Sequence, residues 1–96
     1  MGIVGNSPES GLRIDLERPH GEGPPWRYEG HAVTPDARFA LVATVSAEGA
    51  VTVTLPPDAP PGLADRTARM MRAVWKHSQE DGAAPPRRVV RWRAEL

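Results

Sequence analysis

Basic side chains in the second half of the chain are the residues whose type and spacing best suit a binding role. One set recurs at intervals of three, three and four residues, which places side chains on one side of a helix. This set is Arg66, Arg69, Arg72 and Lys76. A second set lies in the closing segment: Arg87, Arg88, Arg91 and Arg93. Four contacts to phosphate would make binding fall about a hundredfold between roughly 50 and 200 mM salt.

The alternative interpretation of these basic residues is that they are solvated surface. The helix covers one face of the predicted sheet, whereas strand alternation places Arg91 and Arg93 on the other face. We therefore expect two separate basic surfaces, with Arg91 and Arg93 paired to strand acids such as Glu17 or Glu29. Exposed aromatic residues for base stacking are also missing, because Trp75 and Trp92 are both expected to face the core.

Residues for catalysis or metal binding are sparse. The three histidines, His20, His31 and His77, have no ligand spacing, and the chain has no cysteine, no Walker loop and no glycine-rich turn opening a helix. The stretch HGEG (20–23) could supply a base in Glu22, but no serine sits in the context of a nucleophile. We expect no enzyme, metal or cofactor, and keep an enzyme using Glu22 or a loop histidine as a third hypothesis.

Length and composition indicate one soluble domain. The 96 residues are 40% hydrophobic and 25% charged, as in ordinary globular proteins. We expect residues 1–10 to be a flexible tail and residues 11–96 to be a single domain. No membrane span, signal peptide or lipidation site is indicated, so the expected location is the cytoplasm. The formal charge of zero divides into −4 up to Pro61 and +4 from Gly62 onward.

Alternating patterns predict four strands before the helix. Their sequences are GLRIDLER, WRYEGHAV, RFALVATV and AVTVTL. Residues that pair across strands must share a face. This rule favours a three-residue loop at 47–49, with Gly49 left-handed and Val45 paired with Val51, over a two-residue turn. It likewise predicts a turn at Pro35-Asp36 that pairs Ala32 with Phe39.

An amphipathic helix over Leu63–Gln79 follows a proline-rich link, and Gly82 is its expected stop signal. The final strand should face the core through Val90, Trp92, Ala94 and Leu96. The fold class is therefore α+β: an antiparallel sheet of four to five strands, in the order β-β-β-β-α-β, with one long helix on one face. Whether the last strand lies beside the first or the fourth stays open.

These patterns favour a non-enzymatic binding or protein-interaction module, whose partner is another protein or a second copy in a homodimer. The expected interaction surface is the outer sheet face, which carries apolar or small side chains among charged ones. Its candidate residues are Val33, Ala40, Val42, Thr44 and Val89. The alternative is binding of nucleic acid or another polyanion through Arg66, Arg69, Arg72 and Lys76.

Overall fold

The computed structural model describes residues 11–18 and 23–93. The predicted flexible tail, residues 1–10, and the predicted core positions Ala94 and Leu96 lie outside the described residues. Five strands and one helix follow one another in the predicted order. They are β1 (Leu12–Glu17), β2 (Trp26–Val33), β3 (Arg38–Val45), β4 (Val51–Thr54), α1 (Leu63–Glu80) and β5 (Arg88–Arg93).

The five strands form one open antiparallel sheet in the order β4-β3-β2-β1-β5. The α+β fold class is thus confirmed. The link after β4 leads into α1, and the chain then crosses to the opposite edge and adds β5 beside β1. The last strand therefore lies beside the first strand rather than the fourth, a choice that the sequence left open.

The predicted registers of both hairpins are confirmed. Ala32 pairs with Phe39 across the first hairpin. In the second, Val45 pairs with Val51, and Gly49 has a φ of 88°. The short loop forms because Gly49 can adopt a left-handed conformation that strains other residues.

Helix α1 ends one residue later than predicted, and its stop signal is Gly82. Gly82 has a φ of 68°, its N–H donates to the Gln79 carbonyl, and the N–H of Ala83 donates to the Ser78 carbonyl. These two bonds make a Schellman motif, which satisfies carbonyls left open at a helix C-terminus. The motif directs the chain away from the helix toward β5.

The core lies between α1 and one sheet face. Its strand residues are Leu12, Ile14, Leu16, Trp26, Tyr28, Ala32, Phe39, Leu41, Ala43, Val45 and Val89, and its helix residues are Leu63, Met70, Met71 and Val74. The predicted phase of β5 was wrong, since Val89 is buried and Trp92 is 54% exposed. Leu16, which faces the core, pairs with Val89, so Val90 and Trp92 must point outward.

Substitution of Gly49 by Ala should destabilise the fold more than the same substitution at Gly62. Both glycines are left-handed, with φ values of 88° and 86°, so each variant should lose about 1–2 kcal/mol to backbone strain. A Cβ at Gly49 would also lie 2.6 Å from the Trp75 ring, whereas Gly62 has no heavy atom within 4 Å. We expect overpacking to cost Gly49→Ala about 1–3 kcal/mol more, as measured by urea unfolding. Equal losses in the two variants would contradict this packing.

Neighbouring valines in β5 test its phase. Val89→Ala should lower the free energy of unfolding by about 1.5–3 kcal/mol, because it removes two buried methyl groups and leaves a cavity. Val90→Ala should cost less than about 1 kcal/mol, as expected on the outer face. Thermal or urea unfolding of both variants measures the difference. The opposite ranking would show that the strand has the other phase.

Candidate functional site

A groove runs between helix α1 and the edge strand β5. Its helix wall contains Met70, Ala73 and Val74, and its strand wall contains Arg91 and Arg93. The segment between helix and strand closes one end through Ala83, Ala84 and Pro86. This part of the groove has a volume of about 400 Å³, and apolar side chains form much of its lining.

A second compartment continues the groove toward the start of α1. It has a volume of about 460 Å³ and shares Met70, Ala73 and Arg93 with the first. Arg66 and Arg69 line it from the helix. The distance from Asp65 in the second compartment to Asp81 in the first is about 24 Å at 1.5 Å per helical residue. An extended peptide of about seven residues spans such a distance.

The register of β5 places two residues of the second basic set, Arg91 and Arg93, on the helix side of the sheet. Arg91 pairs with Ile14 and Arg93 with Leu12, and both partners are buried in the core. Because paired residues share a face, the two arginines lie on the helix side. The expectation of two separate basic surfaces was therefore wrong, and Arg66, Arg69, Arg91 and Arg93 line one groove.

The guanidinium groups of Arg91 and Arg93 bond to backbone carbonyls rather than to carboxylates of the described residues. The predicted pairing with Glu17 or Glu29 is wrong, because no carboxylate in residues 11–18 and 23–93 lies within 4.0 Å of either guanidinium. Instead, Arg91 Nη1 donates to the Val90 carbonyl and Arg93 Nη1 to the Trp92 carbonyl, each at 3.0 Å. Within the part of the chain that the structure describes, both guanidinium groups thus bond to neighbouring carbonyls and have no carboxylate partner.

The helix stripe predicted from sequence divides at the groove. Arg66 and Arg69 line it, whereas Arg72 and Lys76 are exposed and are not part of its lining. Arg69 forms an exposed ion pair with Asp65 at 3.2 Å, and exposed pairs of this kind are weak and exchange readily. Two of the four residues of the stripe therefore line the groove, and the other two lie outside it.

The histidines occupy separate places. His77 lines the groove near the C-terminal end of α1. Its Nε2 lies 3.5 Å from a carboxylate oxygen of Asp81, and its Nδ1 lies 4.0 Å from a carboxylate oxygen of Glu80. His31 lies on the outer sheet face, where burial and then Arg38 lower its pKa. His20 and Glu22, the residues of the enzyme hypothesis, lie outside the described residues. Within residues 11–18 and 23–93, no three His, Asp or Glu side chains group as metal ligands would.

The outer sheet face differs from its predicted composition. Val89 belongs to the core rather than to this face, and Val33 is only 2% exposed. Ala40 is exposed, and Val42 and Thr44 are half-buried.

Sequence reasoning missed Trp92 as an exposed residue of this face, and its ring lies 5.5 Å from the guanidinium carbon of Arg13. This cation–π contact helps to explain why a large aromatic residue lies outside the core.

A buried arginine fixes the segment that closes the groove. Arg18 is 6% exposed, and its Nη2 donates to the Pro85 carbonyl at 2.8 Å. Its backbone N–H donates to the Arg87 carbonyl at 2.8 Å. The Tyr28 hydroxyl donates to the Pro86 carbonyl at 2.5 Å, and Arg18 also lies over the Tyr28 ring. Together these contacts hold the chain in position as it enters β5.

The ionisation of Tyr28 should report this network directly, since Tyr28 is the one tyrosine of the chain. Burial raises its pKa above the ordinary value of 10.0, and Arg18 offsets part of that effect. We expect tyrosinate absorbance to titrate with a midpoint above 10.0. The unfolded phenol then releases its proton first, so the free energy of unfolding should fall as pH rises above that value.

The matched variant is Tyr28→Phe, which keeps the buried ring. It should lose about 1 kcal/mol with the hydrogen bond to Pro86, and its stability should depend less on pH in the alkaline range. A wild-type midpoint at or below the ordinary value would contradict the described environment of Tyr28.

In residues 11–18 and 23–93, no helix combines the length and apolar composition needed to cross a membrane. No family model, curated protein or solved structure matches this chain.

Proposed function

We propose that this protein is a non-enzymatic interaction module that binds an acidic peptide segment of a partner protein in the groove between α1 and β5. The observation that carries the proposal is the basic groove itself. Four arginines line its two walls around Met70, Ala73 and Val74. Such a lining suits a ligand that carries both carboxylates and apolar side chains.

Charge and shape together favour a peptide. Arg91 and Arg93 have no carboxylate partner among the described residues, so ligand carboxylates would gain charge-assisted hydrogen bonds. The apolar side chains of the groove would contact and bury alternate side chains of an extended peptide. A length of about seven residues fits the span of the groove.

Nucleic acid is the second candidate, because Arg66, Arg69, Arg91 and Arg93 come from both predicted basic sets and line one groove. Two features favour peptide over nucleic acid. No Phe, Tyr or Trp is among the described residues that line the groove, whereas single-strand binding normally uses stacking on such rings. The apolar part of the lining also offers nothing to a phosphate backbone.

A displayed library of random decapeptides provides the test. We expect selection to yield acidic peptides with interspersed apolar residues. The tightest selected peptide should lose at least about tenfold in affinity for R91Q/R93Q, since each charged hydrogen bond contributes about 1.5–3 kcal/mol. Fluorescence anisotropy with the labelled peptide measures this change.

The matched control is R72Q/K76Q, which removes the same number of positive charges from exposed positions outside the groove lining. It should change the affinity by less than about threefold, through long-range electrostatics alone. Selection of peptides without acidic residues would contradict the proposal, as would equal losses in the two variants.

Labelled single- and double-stranded oligonucleotides form the second arm of the same experiment. We expect no binding comparable to that of the peptide. Micromolar oligonucleotide binding that falls about a hundredfold between roughly 50 and 200 mM salt, together with an empty peptide selection, would replace the proposal with nucleic-acid binding.

A further inference from the structure

The open edge of β5 presents a regular set of backbone groups. The N–H of Arg18 donates to the Arg87 carbonyl, and this bond continues the register that pairs Glu17 with Arg88. Hydrogen-bonded pairs alternate along antiparallel strands. Val89, Arg91 and Arg93 therefore bond to β1, while the backbone groups of Val90 and Trp92 point away from the sheet.

Arg91 and Arg93 cap the outward carbonyls of this edge. Arg91 Nη1 donates to the Val90 carbonyl and Arg93 Nη1 donates to the Trp92 carbonyl, both at 3.0 Å. The described residues provide no strand beyond β5, which is the last in the sheet order. An unpaired edge is a template for another strand, and charged side chains along it oppose unselective pairing.

We propose that the ligand binds by strand addition, pairing with β5 as a sixth strand of the sheet. This inference rests on the proposed function and deepens it by specifying how the acidic peptide is held. Peptide carboxylates would draw the guanidinium groups of Arg91 and Arg93 away from the Val90 and Trp92 carbonyls. Those carbonyls then accept hydrogen bonds from the peptide backbone, and alternate peptide side chains enter the groove beside α1.

Charge determines which strand this edge accepts. A second copy of β5 would bring Arg88, Arg91 and Arg93 against the same residues of its partner, and like charges in opposed strands are destabilising. An acidic strand replaces that repulsion with attraction. The occupant is therefore an acidic extended segment of another protein rather than a second copy joined through β5.

A backbone N-methylation scan of the tightest library peptide tests strand addition. Only every second N–H of an added strand points toward β5. Methylation at those positions should reduce the affinity at least about tenfold, and methylation at the intervening positions should be tolerated within about threefold. Loss of affinity with a period of two supports the inference.

Variants of the protein give a second readout. Val90→Pro removes an outward N–H without removing a bond to β1, and proline is accepted at edge positions of this kind. This variant should lose about tenfold in affinity for the peptide. Val90→Ala, which keeps the N–H, should bind the peptide with an affinity within about threefold of wild type. In wild type, the amide protons of Val90 and Trp92 should become protected from exchange when the peptide binds.

The outcomes separate this inference from the proposed function. Tolerance of methylation at every position, without protection of Val90 and Trp92, overturns strand addition. The groove would keep its proposed role in that case if R91Q/R93Q still loses binding. An empty peptide selection overturns both. A Val90→Pro variant that does not fold leaves the decision to the methylation scan and amide exchange.

Discussion

The register between β1 and β5 is the constraint on which the rest of the site depends. Arg18 sets it by donating one backbone hydrogen bond to Arg87 and one side-chain hydrogen bond to Pro85. A shift of one residue would exchange every side chain of β5 between the two faces. Val89 would then leave the core, and Arg91 and Arg93 would leave the helix side. A buried, hydrogen-bonded cation is costly to displace, so this network holds the groove in place.

The central fold could be predicted because its signals are local. Short turns join β2 to β3 and β3 to β4, so the identity of paired residues follows from loop length and alternation alone. The observed pairs Ala32–Phe39 and Val45–Val51 are the predicted ones. Helix α1 likewise carries its own amphipathic pattern and its own stop signal at Gly82. Each of these features depends on residues close together in sequence.

The final strand could not be predicted because its determinants are distant in sequence. Val89 and Val90 are adjacent and equally apolar, so pattern alone favoured the phase that buries Trp92. The observed phase depends on Arg18, 67 residues before Pro85, and on the cation–π contact of Trp92 with Arg13. Arg91 and Arg93 are tolerated on the helix side because they lie at the sheet edge, where both side chains are exposed. The groove was missed for the same reason.

Cross-linking across the groove tests the central claim most directly, and the cysteine-free chain gives a clean background. The claim is that α1 faces Arg93 rather than Trp92 of β5. Ala73→Cys combined with Arg93→Cys should be joined within one molecule by a short bismaleimide, because residues 73 and 93 line the same compartment. Ala73→Cys combined with Trp92→Cys should remain unlinked. Efficient linking of the second pair and not the first would contradict the register and the groove built on it.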